Sequence, residues 1–85
     1  MDKLIEFSNH ARQMMVEHGA AKEEIEDTIR TSSWLPARLG RLECEKVFPF
    51  VAFWKGKFYN NKRVRPVFIE LPTKIFVITV YTYYF

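Results

Sequence analysis

The chain ends in IFVITVYTYYF, Ile75 to Phe85, where every residue is β-branched or aromatic and none is charged. Side chains of this kind fit a pleated surface better than a helix, so the run predicts a long strand. Alternation along it separates Phe76, Ile78, Val80, Thr82 and Tyr84 from Ile75, Val77, Thr79, Tyr81, Tyr83 and Phe85. The first set is the expected core face. The second ends in hydroxyls and is the candidate open face. At 11 residues, with Thr79 and Thr82 inside it, the run falls well short of a membrane-spanning helix, which needs about 20 apolar residues.

A strand this apolar must be covered on one side by another element. The cover is expected from the first third of the chain. Ser8 suits a helix N-cap and Gly19 a helix stop, which predicts helix 1 from Asn9 to His18, with Ala11, Met14, Met15 and His18 on one face. An earlier start capped by Asp2, with Leu4 and Ile5 continuing the stripe, and an extended lead-in from Met1 to Phe7 both fit this opening. Lys22 to Thr31 reads as helix 2, with Glu23, Glu24 and Glu26 in the early turns favoured by the helix dipole and Arg30 near the end. Ala21, Ile25, Thr28, Ile29 and Ser32 form its narrow core face.

Pro36 biases Leu35 to extended backbone and closes the helical part. After it the chain reads as strands: RLECEKVF (41–48), FVAFWKGKFY (50–59), VRPVFIEL (64–71) and the C-terminal run, with Asn60-Asn61 as a hairpin turn and residues 71–74 as another. Pro66 cannot donate to a ladder and marks an edge or a bulge. The expected fold is therefore α+β and single-domain over residues 1–85, with two N-terminal helices on one face of a four-stranded antiparallel sheet, in the order ααββββ.

Charge is divided unevenly. Residues 1–33 hold seven acids against four bases, whereas residues 34–85 hold nine bases against three acids. An acidic helical layer on a basic sheet suggests a polyanion partner for the sheet. Arg38, Arg41, Lys46, Lys55, Lys57 and Lys62, with Thr79 and Tyr81, form the candidate nucleic-acid-binding set, because RNA recognition combines cations for phosphates with flat rings for unstacked bases. No glycine-rich phosphate loop, nucleophile elbow or metal-spaced cluster is present, so neither a metal nor another cofactor is expected. Cys44 has no partner for an internal disulfide and is expected to be a small buried filler. Asp2, Lys3 and Glu6 do not resemble a signal peptide, and the expected setting is cytoplasmic, without a membrane. His18, at a helix end, is expected to cap or pack. His10 is the candidate general base, since an imidazole exchanges its proton near neutral pH.

SNHARQMMVEHGAAKEEIEDTIR resembles the opening of a family of small prokaryotic domains of unknown function allied to the BrnT and RelE toxins, whose first helix carries H-A-x-x-R-M-x-x-R-G. His10, Ala11, Met15 and Gly19 match that pattern, while Met14 and His18 stand where it has arginine. The resemblance implies a RelE-like fold and metal-independent RNA cleavage by attack of a 2′-hydroxyl on the adjacent phosphate. In that scheme His10 is the base, Arg63 and Arg65 stabilise the developing charge, and Tyr83 orients the phosphate or protonates the leaving oxygen. An antitoxin-like protein partner is implied as well. The aromatic last strand alternatively suits a non-catalytic interaction module or a homodimer.

Overall fold

Ser8 organises the start of the described chain, which in this computed structural model comprises residues 3–85. Its Oγ accepts a hydrogen bond from the Ala11 amide at 2.9 Å and donates to the Ile78 carbonyl at 2.8 Å. One side chain thus caps α1 (Asn9–His18) and ties it to the last strand, β6 (Lys74–Tyr84). Gly19 ends α1 in the left-handed region, at φ 73°. The second helix, α2 (Lys22–Thr31), buries Ile25, Thr28 and Ile29 as the narrow face predicts. Glu24 accepts from the Ala21 amide at 2.9 Å, so this first-turn acid also supplies half of a capping box.

The sheet departs from the expected plan in three places. First, Leu4–Phe7 forms a strand, β1, that runs parallel to β6 in the register Leu4↔Lys74 to Phe7↔Val77. The extended lead-in is therefore the observed conformation, and Asp2, the alternative cap, lies outside the described residues. The α+β sheet is mixed and has six strands, not four antiparallel ones in ααββββ order. β1 escapes a periodicity reading because it is four residues long, too short to distinguish Ile5 and Phe7 on a strand face from a continued helix stripe.

Second, the hairpin turn is Lys55-Gly56, not Asn60-Asn61. Both turn residues have positive φ, 50° and 85°, the geometry that matches the twist of the flanking strands. β4 (Lys46–Trp54) and β5 (Lys57–Glu70) flank it. Asn60 and Asn61 lie inside β5, where both amides donate to the Phe85 carbonyl, at 3.1 and 2.8 Å. Third, the expected 41–48 strand is broken at Cys44-Glu45 into β3 (Leu42–Glu43) and the start of β4. Pro66 of β5 faces that break; it has no N–H to give, and its carbonyl receives only a long 3.4 Å bond from the Cys44 amide. Short β2 (Leu35–Pro36) completes the edge, so the strand path is β1-β6-β5-β3-β2, with β4 also on β5.

The C-terminal alternation also needs correction. Val67 pairs with Thr79 but Phe68 with Val77, which leaves Ile78 as an extra residue, a bulge, on β6. The face rule therefore changes there. Ile75 and Val77 are buried under the helices before the bulge; Val80, Thr82 and Tyr84 continue that face after it. Cys44 is 2% exposed with its thiol 3.5 Å from the Thr28 carbonyl, and burial, assisted by the Glu43 charge, pushes it up to about 12. No helix among the described residues is long and apolar enough to cross a membrane.

Candidate functional site

Strand pleating sends consecutive β5 residues to opposite sides of the sheet, and this divides the basic residues into two groups. Lys62 points toward the helices. It lies 2.8 Å from Glu24 Oε1, donates to the Gly19 carbonyl at 3.0 Å and sits 5.4 Å from the centre of the Phe50 ring. Tyr84 shares this pocket: it stacks on Trp54 at 5.0 Å and donates to the His18 carbonyl at 2.6 Å. Burial, with Glu24 nearby, holds its phenol above the ordinary value. Lys46 is likewise turned to the helices, 2.6 Å from Asp27. Neither lysine reaches the opposite face. Lys55 and Lys57 lie at the hairpin tip, over the rings of Trp54 and Tyr59 at 5.5 and 5.6 Å.

Arg63 and Arg65 alternate with these and project from the face that carries no helix. Their cross-strand neighbours are Tyr83 and Tyr81, and Phe85, just beyond β6 and bonded to Asn61, continues the same row. The Arg65 guanidinium lies 5.2 Å from the Tyr81 ring centre and 5.5 Å from that of Tyr83, and it donates to the Tyr83 hydroxyl at 2.9 Å. Its Nε is shielded and makes no hydrogen bond, so the two ring faces stand in for an acceptor. Arg63 lies 5.2 Å from the Phe85 ring centre and 3.2 Å from Glu45. Tyr81, Tyr83 and Phe85 are 42%, 43% and 50% exposed, large for aromatic residues on a sheet.

The β2–β3 segment folds over one end of this face and makes a groove of about 550 Å³, within the range of small-ligand sites. Arg38, Arg41 and Arg65 line it together with Glu43, Thr79 and Tyr81. Thr79 is nearly buried in its floor, beside Val67. Among the described residues, no carboxylate forms an ion pair with Arg38, Arg41 or Arg65. Of the candidate residues, then, Arg38, Arg41, Arg63, Arg65, Thr79, Tyr81 and Tyr83 share one face.

His10 does not join them. It is exposed in the first turn of α1, and the sheet lies between that helix and Arg63, Arg65 and Tyr83. His18 is half-buried and contributes its carbonyl to Tyr84. The sequence places Glu43 and Glu45 on the basic sheet but assigns them no role; alternation puts both on one side, and the pairing of Glu43 with Val67 makes that side the open face. Sequence reasoning missed the Phe53–Phe58 pair, an edge-to-face contact at 5.4 Å that extends the exposed aromatic surface to the hairpin tip. The alternation within 62–65 carried a usable signal: Arg63 and Arg65 fall on one face, and Lys62 and Val64 on the other.

No protein-family model matches the chain, and neither the curated proteins nor the solved structures yield a match.

Proposed function

We propose that the protein binds single-stranded RNA on the helix-free face of its sheet. The observation that carries this reading is the row Arg65–Tyr81–Tyr83, where a cation without a carboxylate partner is framed by half-exposed rings. Phosphates require the charge, and unstacked bases require the rings; an aromatic platform contributes about 1–3 kcal/mol per stacked base. The likeness of the first helix to BrnT- and RelE-allied domains supports RNA as the polyanion. It does not supply a catalytic base on this face, since His10 sits in the other layer. The proposed activity is therefore binding without cleavage.

Anisotropy of a labelled eight-nucleotide RNA, followed against salt in excess EDTA, tests it. If Arg38, Arg41 and Arg65 each meet a phosphate, log K falls with log salt at a slope of about −2, and Arg65→Gln makes it shallower by about 0.7. No binding, or a slope untouched by Arg65→Gln, refutes the proposal. In the same samples, RNA is expected to stay intact; cleavage lost in His10→Ala would restore the nuclease reading.

One observation favours a second reading, a protein-interaction module. β1 pairs only with Lys74 to Val77, so β6 from Ile78 onward has a strand neighbour on the β5 side alone. Antiparallel alternation then aims the backbone groups of Val80, Thr82 and Tyr84 at the unpaired edge, which could accept an antitoxin-like segment or a second copy. Light scattering after size exclusion distinguishes a dimer from a monomer.

A further inference from the structure

Glu43 is anomalous in its surroundings. It lies across from Val67 on the open face, in a groove whose rim carries Arg38, Arg41 and Arg65, yet among the described residues it forms no ion pair and accepts no side-chain hydrogen bond. An unpaired carboxylate beneath guanidinium groups that have no carboxylate partner defines a ligand with two ends, one anionic and one offering hydrogen-bond donors.

The rest of the groove narrows the choice. Tyr81 forms one wall and is 42% exposed, so beside Arg65 its ring favours a flat donor end on the ligand. Three cationic side chains at the rim disfavour a guanidinium or ammonium as that donor. Among nucleobases the donor patterns differ decisively. Cytosine and adenine each place one exocyclic amine beside a ring nitrogen with a lone pair, which would repel the second carboxylate oxygen. Uracil places its single N–H between two carbonyls. Guanine alone presents N1–H and the N2 amine side by side, matched to the two oxygens of a carboxylate.

Resting on the RNA-binding reading above, we propose that this groove is a guanine-specific subsite. Glu43 accepts from guanine N1–H and N2–H, Tyr81 stacks on the base, Thr79 lines the floor, and Arg38, Arg41 and Arg65 hold the flanking phosphates.

The test uses the full chain and labelled hexaribonucleotides of adenosine in which one central position is adenosine, inosine or guanosine. A bidentate base contact is expected to favour guanosine over adenosine by about 10- to 100-fold. Inosine keeps N1–H but lacks the N2 amine, so it should fall between them; this comparison leaves the protein unaltered and needs no variant to fold. Glu43→Gln, checked for folding by its thermal transition, should bring the guanosine and adenosine oligomers to within about threefold by weakening only the former. Equal binding of all three oligomers by the wild-type chain overturns the guanine subsite while the RNA reading survives. Retention of the preference in Glu43→Gln overturns the role of Glu43. Failure of all three to bind overturns the RNA reading, and the subsite with it.

Discussion

Replacing Lys62 by methionine separates the structural basic residues from the candidate binding ones. The Lys62 side chain is 8% exposed, 2.8 Å from Glu24 Oε1 and 3.0 Å from the Gly19 carbonyl. Methionine keeps the apolar stem against Phe50 but leaves the carboxylate without its cation and the carbonyl without its donor. Removing one member of a buried pair costs about 3–5 kcal/mol. Glu24 is 22% exposed and keeps the Ala21 amide, so water and one remaining hydrogen bond reduce this to about 2–3 kcal/mol. In a domain of 85 residues that corresponds to a fall in Tm of about 8–24 °C. Circular dichroism melts of Lys62→Met, Glu24→Gln and the double variant measure it, and the cycle should show a coupling of at least about 1 kcal/mol. RNA affinity and its salt slope should be unchanged at a temperature where the variant is folded. A Tm within about 3 °C of wild type, or a salt slope reduced as in Arg65→Gln, would refute the placement of Lys62 under the helices.

Two further outcomes follow from the same packing. A Cβ added at Gly19 would lie 2.5 Å from Tyr84 Oη and 2.8 Å from Trp54 Cη2, on a backbone at φ +73°, whereas at Gly40, φ +71°, it would meet nothing within 4 Å. Gly19→Ala should therefore lose about 2–4 kcal/mol in urea unfolding and Gly40→Ala only about 1–2; equal losses would show that the Tyr84–Trp54 stack yields freely. Because burial, and secondarily Glu43, raises the Cys44 thiol from 9.0 to about 12, the folded state binds the proton more tightly than the unfolded chain. Its contribution is complete below about pH 9 and is lost as pH rises toward about 12, at up to about 1.4 kcal/mol per pH unit. Cys44→Ala should lack this part of the alkaline slope, and identical pH profiles for the two proteins would count against it.

The parts of this protein set by near neighbours in sequence were legible without its structure. Ser8 and Gly19 delimit α1, a β-branched and aromatic run makes β6, Pro36 ends the helical part, and Cys44 is a buried filler, because capping, propensity and proline sterics act within a few residues. The clustering of Arg63 and Arg65 with Tyr81 and Tyr83 was legible by residue type, though not by partner. Tertiary structure alone decided what depends on register between distant segments. The parallel pairing of β1 with β6 joins residues about 70 apart in sequence. The Ile78 bulge exchanges the faces of β6, the turn at Lys55-Gly56 carries Asn60-Asn61 into a strand, and the pairing of Glu43 with Val67 sets it on the face of the arginine groove. A one-residue change of register reverses which side of a sheet every following side chain occupies. For that reason Lys62 holds the helices, Arg63 and Arg65 face outward, and His10 stands apart from both arginines.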